Sequence, residues 1–161
     1  MAKRVFILQG VSGSGKSSLA KKLCGEQKNI CSADDFFVGS DGVYRFNPAH
    51  LPDAHSSCLR KYVSSLMLCF AHSEAVIVVD NTNTTVGEIA PYYALAQAYG
   101  YTPIIITVEC DVSEAAERNA HGVSLSTCEA MDARIKATNA TLPPWWTRIS
   151  SDDAASSLLK N

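Results

Sequence analysis

Residues 10–17 read Gly10-Val11-Ser12-Gly13-Ser14-Gly15-Lys16-Ser17, a complete G-x-x-x-x-G-K-S phosphate-binding loop. Its glycines allow backbone torsions closed to other residues, so several N–H groups can point inward at one phosphate. A helix starting near Lys16 would aim its positive end at the same place. Lys16 is the residue type that reaches β- and γ-phosphates, and the Ser17 hydroxyl is placed to sit on Mg²⁺. Gly10, Ser12, Gly13, Ser14, Gly15, Lys16, Ser17 and Ser18 are therefore the expected nucleotide contacts. A turn that merely joins strand to helix is disfavoured, because every fixed position of the motif is met between an apolar run and a helical pattern. The chemistry these residues point to is the binding of a nucleoside triphosphate.

Three further groups could act on that phosphate. Asp34-Asp35 follows a short apolar strand by two residues, and a carboxylate is the usual acceptor of a hydroxyl proton in phosphoryl transfer. In an extended segment one acid can face the acceptor while its neighbour points elsewhere, so Asp34 is the catalytic candidate and Asp35 a candidate substrate contact. Asp80 ends the run Val76-Ile77-Val78-Val79, where a carboxylate needs a partner, and a metal-water role beside Ser17 provides one. Asn81-Thr82-Asn83-Thr84 adds polar side chains at that strand end, with Asn83 a candidate substrate contact. Arg118 lies on a short helix before Gly122 and could neutralise charge on the transferring phosphoryl, serving both nucleotide and catalysis. The competing role for Arg118 is an i,i+4 pair with Glu114. Arg134, on the next helix, is a weaker candidate of the same kind. Phe36, Phe37, Tyr44 and Phe46 surround the acidic pair; they could stack a base, and more often such residues pack a loop onto its domain.

The elements that must position these groups alternate strand and helix. Arg4–Gln9 reads as the first strand, Lys16–Gly25 as the helix after the loop, and residues 29–32 as a second strand. Gly39-Ser40-Asp41-Gly42, between two apolar runs, reads as a hairpin or folded loop. Asn47-Pro48 signals a helix start, and apolar residues recurring from Leu51 to Phe70 carry that helix to about Ala71. A third strand runs over 75–79. Thr85-Val86-Gly87-Glu88 fits a capping box opening a helix that closes at Gly100, with Pro91 near its start. A fourth strand follows over 103–108, then two short helices over 113–119 and 127–137, separated by His121-Gly122-Val123-Ser124. Such alternation predicts an α/β fold: a parallel sheet of four to five strands, helices on both faces and a short helical lid. Residues 10–17, 34–35, 80–83 and 110–111 all fall at strand ends, so the chemistry converges on one rim of the sheet. Residues 1–148 are expected to form one domain, with Trp145-Trp146 pinning its end to the core, and 149–161 a loosely ordered tail, a final helical turn being the alternative.

Composition narrows the partners. The 161 residues are 47% hydrophobic and 19% charged, enough to bury a core. No apolar run approaches the length of a transmembrane helix, and no signal peptide is expected. The six cysteines are scattered without a C-x-x-C pair, and the four histidines lack ligand spacing, so zinc has no support. Reduced thiols fit a cytoplasmic location, with a nuclear one also open. A net charge of −2 argues against tracking a long nucleic-acid backbone, and favours an end or a short oligomer if the acceptor is nucleic acid.

Taken together, GVSGSGKSSLA, SADDFF with DGVYRFNPAHLPDAH, VIVVDNTNTT, AYGY and ERNAHGVSLSTCEAMDAR resemble the polynucleotide 5′-kinase-like branch of P-loop kinases. That group includes small kinase domains of the phage polynucleotide kinase and Nedd4-binding-protein-2 (AAA-type ATPase-like) kinds. The strings cover most of residues 5–135 in order. The resemblance implies a P-loop NTPase fold of the kinase type and ATP- and Mg²⁺-dependent phosphorylation of a 5′-hydroxyl on RNA or DNA. By position it implies Lys16 and Ser17 at nucleotide and metal, Asp34 as general base, Asp80 as the acid after the third strand, and Arg118 as the first lid arginine. Two positions depart from the pattern. A second lid arginine would fall near His121-Gly122, and an acceptor-binding arginine is replaced by Phe37; Arg45 is the candidate substitute. A nucleoside or sugar acceptor, and a non-catalytic ATP-gated binding module, are the alternatives.

Overall fold

The computed structural model describes residues 3–25, 27–72 and 75–158. Five parallel strands form one sheet in the order β2-β3-β1-β4-β5: β1 (Arg4–Gln9), β2 (Ile30–Cys31), β3 (Val76–Asp80), β4 (Thr102–Thr107) and β5 (Arg148–Ser150). Among the described residues six α-helices accompany them: α1 (Lys16–Leu23), α2 (Leu51–Leu68), α3 (Val86–Ala98), α4 (Val112–Arg118), α5 (Leu125–Asn139) and α6 (Ser151–Leu158).

The central strands are apolar on both faces, because helices cover both. Val5, Ile7, Ile77, Val79 and Ile105 face one side and pack against Tyr62, Leu66, Ile89, Tyr93 and Ala96 of α2 and α3. Phe6, Leu8, Val78 and Ile106 face the other and meet Ala20 of α1 and Ala154 of α6. A smaller cluster, Val11, Ala115 and Ile135, seats α4 and α5 over the turn after β1. The Thr85–Glu88 capping box forms as its sequence predicts, and Asn47 caps the 3₁₀ turn Pro48–His50 ahead of α2.

Three expectations change. The tail expected to be loose from 149 is ordered through 158: β5 pairs with β4, and Ile149, Ala154 and Leu158 pack on the α1 face. Its Ser- and Asp-rich sequence hides this, since three apolar contacts hold it. The lid's second helix is longer than expected, because Ser124 caps it by accepting from the Thr127 N–H. Of the tryptophan pair, Trp146 stacks on Tyr93 at 4.3 Å, whereas Trp145 is 77% exposed and pins nothing.

Strand order reverses about β1, with β2 and β3 on one side and β4 and β5 on the other. The carboxyl ends beside such a reversal form the crevice where α/β sheets collect ligands.

Candidate active site

The phosphate loop emerges from β1 and turns sharply into α1, with Gly15 (φ 102°) as the N-cap of that helix. Gly13 holds φ 83° and lies so close to α4 that an added Cβ would stand 2.1 Å from the Ala115 carbonyl oxygen. Gly10 is pressed against Val108 of the segment after β4. The loop is thus fixed by backbone contact on two sides. Beneath it, the wholly buried Gln9 accepts from the Thr107 hydroxyl (2.9 Å) and donates to the Asn83 carbonyl (3.2 Å).

Lys16 is buried in the loop, its Nζ donating to the Val11 carbonyl at 2.8 Å. Burial pulls its pKa down, opposed by the nearby carboxylates of Asp80 and Asp34. The Ser17 hydroxyl donates to Asp80 Oδ2 at 2.7 Å, so the two residues expected around a metal adjoin. Burial pushes the Asp80 carboxyl above its ordinary value, against the Ser17 hydrogen bond and the Lys16 charge. Ser18 follows, exposed on the first turn of α1, and Ser12 is buried on the loop's other side. The Ser14 hydroxyl is buried with no partner, a polar group left over for a ligand.

Among the described residues no cluster of three His, Cys, Asp or Glu side chains could hold a metal alone. One hydroxyl beside one carboxylate suits a hard cation that keeps waters and takes its remaining ligands from phosphates, which is the coordination habit of Mg²⁺. These residues fit that ion.

Arg118 reaches the loop from α4. Its Nε donates to the Gly13 carbonyl at 2.7 Å and its Nη2 to Cys110 Sγ at 2.8 Å, while Glu114 is not its partner. The i,i+4 alternative is set aside: the guanidinium lies over the phosphate loop.

The acidic pair sits in a 3₁₀ turn, Ala33–Phe37, capped by Ser32. Buried Asn81, at the end of β3, accepts from the Ala33 N–H at 2.9 Å and locks that turn to the sheet. The two acids then diverge. Asp35 pairs with Lys61 of α2 at 3.1 Å. Asp34 accepts from the Tyr44 hydroxyl through Oδ1 at 3.1 Å, and its Oδ2 lies 3.4 Å from His121 Nε2 in the lid turn.

Asp34 lines a cavity of about 630 Å³, bounded by Ser12 of the phosphate loop, Tyr44, Phe46, Asn81, His121 and Arg134 among others. Phe37 is buried in a T-shaped contact with Phe46, whereas Phe46 remains 51% exposed. Phe37 both packs the loop onto the core and, with Tyr44 and Phe46, lines the cavity, whereas Phe36 stays exposed outside it.

Three of the candidate acceptor contacts have other partners in this structure. Arg45 is exposed and forked onto Asp41 at 3.0 and 2.6 Å, and it does not line the cavity. Its acid lies four residues back across a tight turn and captures it. Asn83 is buried, with φ 49°, and its amide donates to the Leu8 carbonyl at 2.7 Å. It braces the turn under the phosphate loop. Asp35, tied to Lys61, is likewise turned aside; Arg134 does reach the cavity wall.

Three positioning residues were given no such role by the sequence: Gln9, Asn81, noted only as a polar residue at its strand end, and Asn119. Asn119 clamps the lid turn, accepting from the Val123 N–H at 2.8 Å and donating to the Val123 carbonyl at 2.9 Å. The role of Asn81 gives a test. Asn81→Ala would leave the buried Ala33 N–H unsatisfied, a cost of about 1–3 kcal/mol. Transfer is expected to fall roughly tenfold, with ATP affinity held, as measured by steady-state kinetics beside nucleotide titration.

A phosphate loop after the first strand of a parallel sheet, with a helical lid over the strand ends, defines a P-loop kinase-type fold. Several solved structures share it at identities that speak to fold alone. Mycobacterium tuberculosis APS kinase in complex with AMPPNP and APS matches with TM-score 0.54 and 18% identity, over 94% of this chain and 90% of that one. Sinorhizobium meliloti gluconokinase gives TM-score 0.55 and 14% identity, over 96% and 86%. Chaetomium thermophilum Kti12 in complex with ADP-AlF3 gives 0.57 and 15%, over 92% and 90%. The chain belongs to the AAA domain family whose model matches residues 5–145. Human NEDD4-binding protein 2 is 35% identical over 128 residues, which are 74% of this chain and 7% of that protein. This chain therefore corresponds to a small part of that relative's length. No helix among the described residues is long and apolar enough to cross a membrane.

Proposed function

We propose that the chain transfers the γ-phosphate of ATP to a hydroxyl, and that the hydroxyl is the 5′ end of an RNA or DNA strand. One observation carries the reading: Asp34 stands on the wall of a cavity that also opens onto the phosphate loop at Ser12. A hydroxyl in that cavity has a base on one side and the triphosphate cradle on the other. Residues 10–18 hold the triphosphate, and Ser17 with Asp80 would hold Mg²⁺, which neutralises phosphate charge when bound. Asp34 takes the hydroxyl proton, and Arg118 lies where it can fold from the Gly13 carbonyl onto the transferring group. Tyr44 and Phe46 line the cavity and give it aromatic surface for a terminal base, a feature a bare sugar would not need.

The cations on the cavity wall favour an end over a long strand. Arg134 lines the cavity, while Arg45 is tied to Asp41 outside it, so no basic track leads away along this loop. The same fact keeps a nucleoside acceptor as the second reading. Labelled γ-phosphate offered to 5′-hydroxyl RNA, 5′-hydroxyl DNA, nucleosides and sugars tests both. Oligonucleotide labelling is expected to exceed that of any nucleoside or sugar. Label confined to small molecules would overturn the acceptor, and ATP binding without transfer to anything would favour a nucleotide-gated binding module.

A further inference from the structure

The lid turn brings a titratable ring to the proposed base. His121 lies between Asn119 and Gly122, and the Asn119 clamp with the positive φ of Gly122 (69°) holds the turn. His121 Nε2 stands 3.4 Å from Asp34 Oδ2, and the ring lies against Tyr44 at a centroid distance of 4.3 Å. Three residues from three separate segments therefore meet: Asp34 after β2, Tyr44 from the following loop, and His121 from the lid. The two carboxylate oxygens have different partners. Oδ1 accepts from a phenol whose proton is held firmly, since burial and the Asp34 charge both push Tyr44 above its ordinary pKa. Oδ2 faces an imidazole, which in its neutral form carries one acceptor nitrogen.

We propose that His121 receives, at Nε2, the proton that Asp34 takes from the acceptor, so that the lid carries a working part of the base. The inference rests on the phosphotransferase reading above. As the acceptor oxygen bonds to the γ-phosphorus, the bond to the β–γ bridging oxygen breaks and ADP leaves with that electron pair. The hydroxyl proton passes to Asp34 Oδ2, then to the bare Nε2 of His121 in the tautomer protonated at Nδ1, which becomes imidazolium and returns a proton to water. The Asp34 side chain is 51% exposed and that of His121 34%, and both line the cavity the acceptor fills, so with an acceptor in place His121 is the basic neighbour at Oδ2. Without His121 the protonated Asp34 keeps Tyr44, already a donor, at Oδ1 and must lose its proton to solvent directly. The lid thus couples two events: folding Arg118 over the phosphate loop and bringing a proton acceptor to the base.

The test compares wild type, His121→Ala and His121→Gln in transfer to a 5′-hydroxyl oligonucleotide and in ATP hydrolysis, with and without added imidazole. Expected is a fall in kcat of at least about tenfold in both variants, with KM for ATP and oligonucleotide changed less than about threefold. Imidazole should raise the rate of His121→Ala in a saturable way and leave wild type unaltered. A structural role would not be rescued by a small base. In parallel, the His121 ring nitrogen signals in ¹⁵N NMR of the free protein should shift in Asp34→Asn and stay put in Asp35→Asn. Full activity in both variants, or a loss that imidazole leaves unchanged, overturns the inference while the phosphotransferase reading stands. Wild type inert toward every hydroxyl and toward water overturns that reading and the proton transfer with it, and the NMR comparison then reports only whether the pair forms.

Discussion

Replacing Asp34 with asparagine is expected to lower phosphoryl transfer by about 10²–10⁴-fold while ATP affinity stays within roughly a factor of two. The substitution keeps the size of the side chain and an acceptor for the Tyr44 hydroxyl, which now bonds Oδ1 at 3.1 Å. What it removes is the capacity to take a proton. Asp35→Asn is the control on the neighbouring acid: it breaks a partly exposed pair with Lys61 at 3.1 Å, worth no more than about 1 kcal/mol, and the transfer rate is expected to hold. Stopped-time assays with both variants at saturating ATP separate the two acids. Comparable losses in both would remove the distinction drawn between them.

The second large effect lies in the phosphate loop. Gly13→Ala is expected to destabilise the fold by about 2–5 kcal/mol, combining the left-handed torsion with overpacking against backbone. Its added methyl would meet the Ala115 carbonyl at 2.1 Å and Asn119 Cβ at 2.9 Å, so either the loop or α4 must move. Nucleotide affinity is expected to fall at least tenfold, since the loop's N–H groups and Arg118 both lose their registration. Gly15→Ala isolates the torsional part. Gly15 also has positive φ, yet no atom lies within 4 Å of an added Cβ. Thermal melts should therefore rank Gly13→Ala well below Gly15→Ala, with a midpoint drop on the order of 10 °C for the former. Equal melting temperatures would mean that α4 does not bear on the loop.

Local chemistry made much of this legible from sequence. The phosphate loop, the Thr85 capping box and the apolar central strands announce themselves because each depends on residues adjacent in the chain. Asp34 and Asp80 were placed by lying just past apolar strands, and the structure brings both to the strand ends beside Lys16. What escaped depends on partners distant in sequence. Asp35 is turned aside by Lys61, twenty-six residues on. Asn83 looks like any polar residue of a loop, and only the fold reveals that its amide is used by Leu8, seventy-five positions back. Arg45 is the exception: Asp41 was in plain view four residues earlier, and the tight turn between them signals the capture. His121 and Asn81 lie in strings that carried the resemblance, but their partners Asp34 and Ala33 reach them across the sheet rim, which no local pattern shows. The ordered end of the chain was obscured because polar residues dominate 150–157 while Ile149, Ala154 and Leu158 make its contacts.

The most direct test of the account is single-turnover transfer of labelled γ-phosphate to a 5′-hydroxyl oligonucleotide, wild type against Lys16→Ala, with the label then located by nuclease digestion. The account predicts label on the 5′-terminal nucleotide with wild type and none with the variant, because Lys16 sits in the loop that holds the triphosphate. Label elsewhere, label with the variant, or none from a wild-type protein that binds ATP would contradict it.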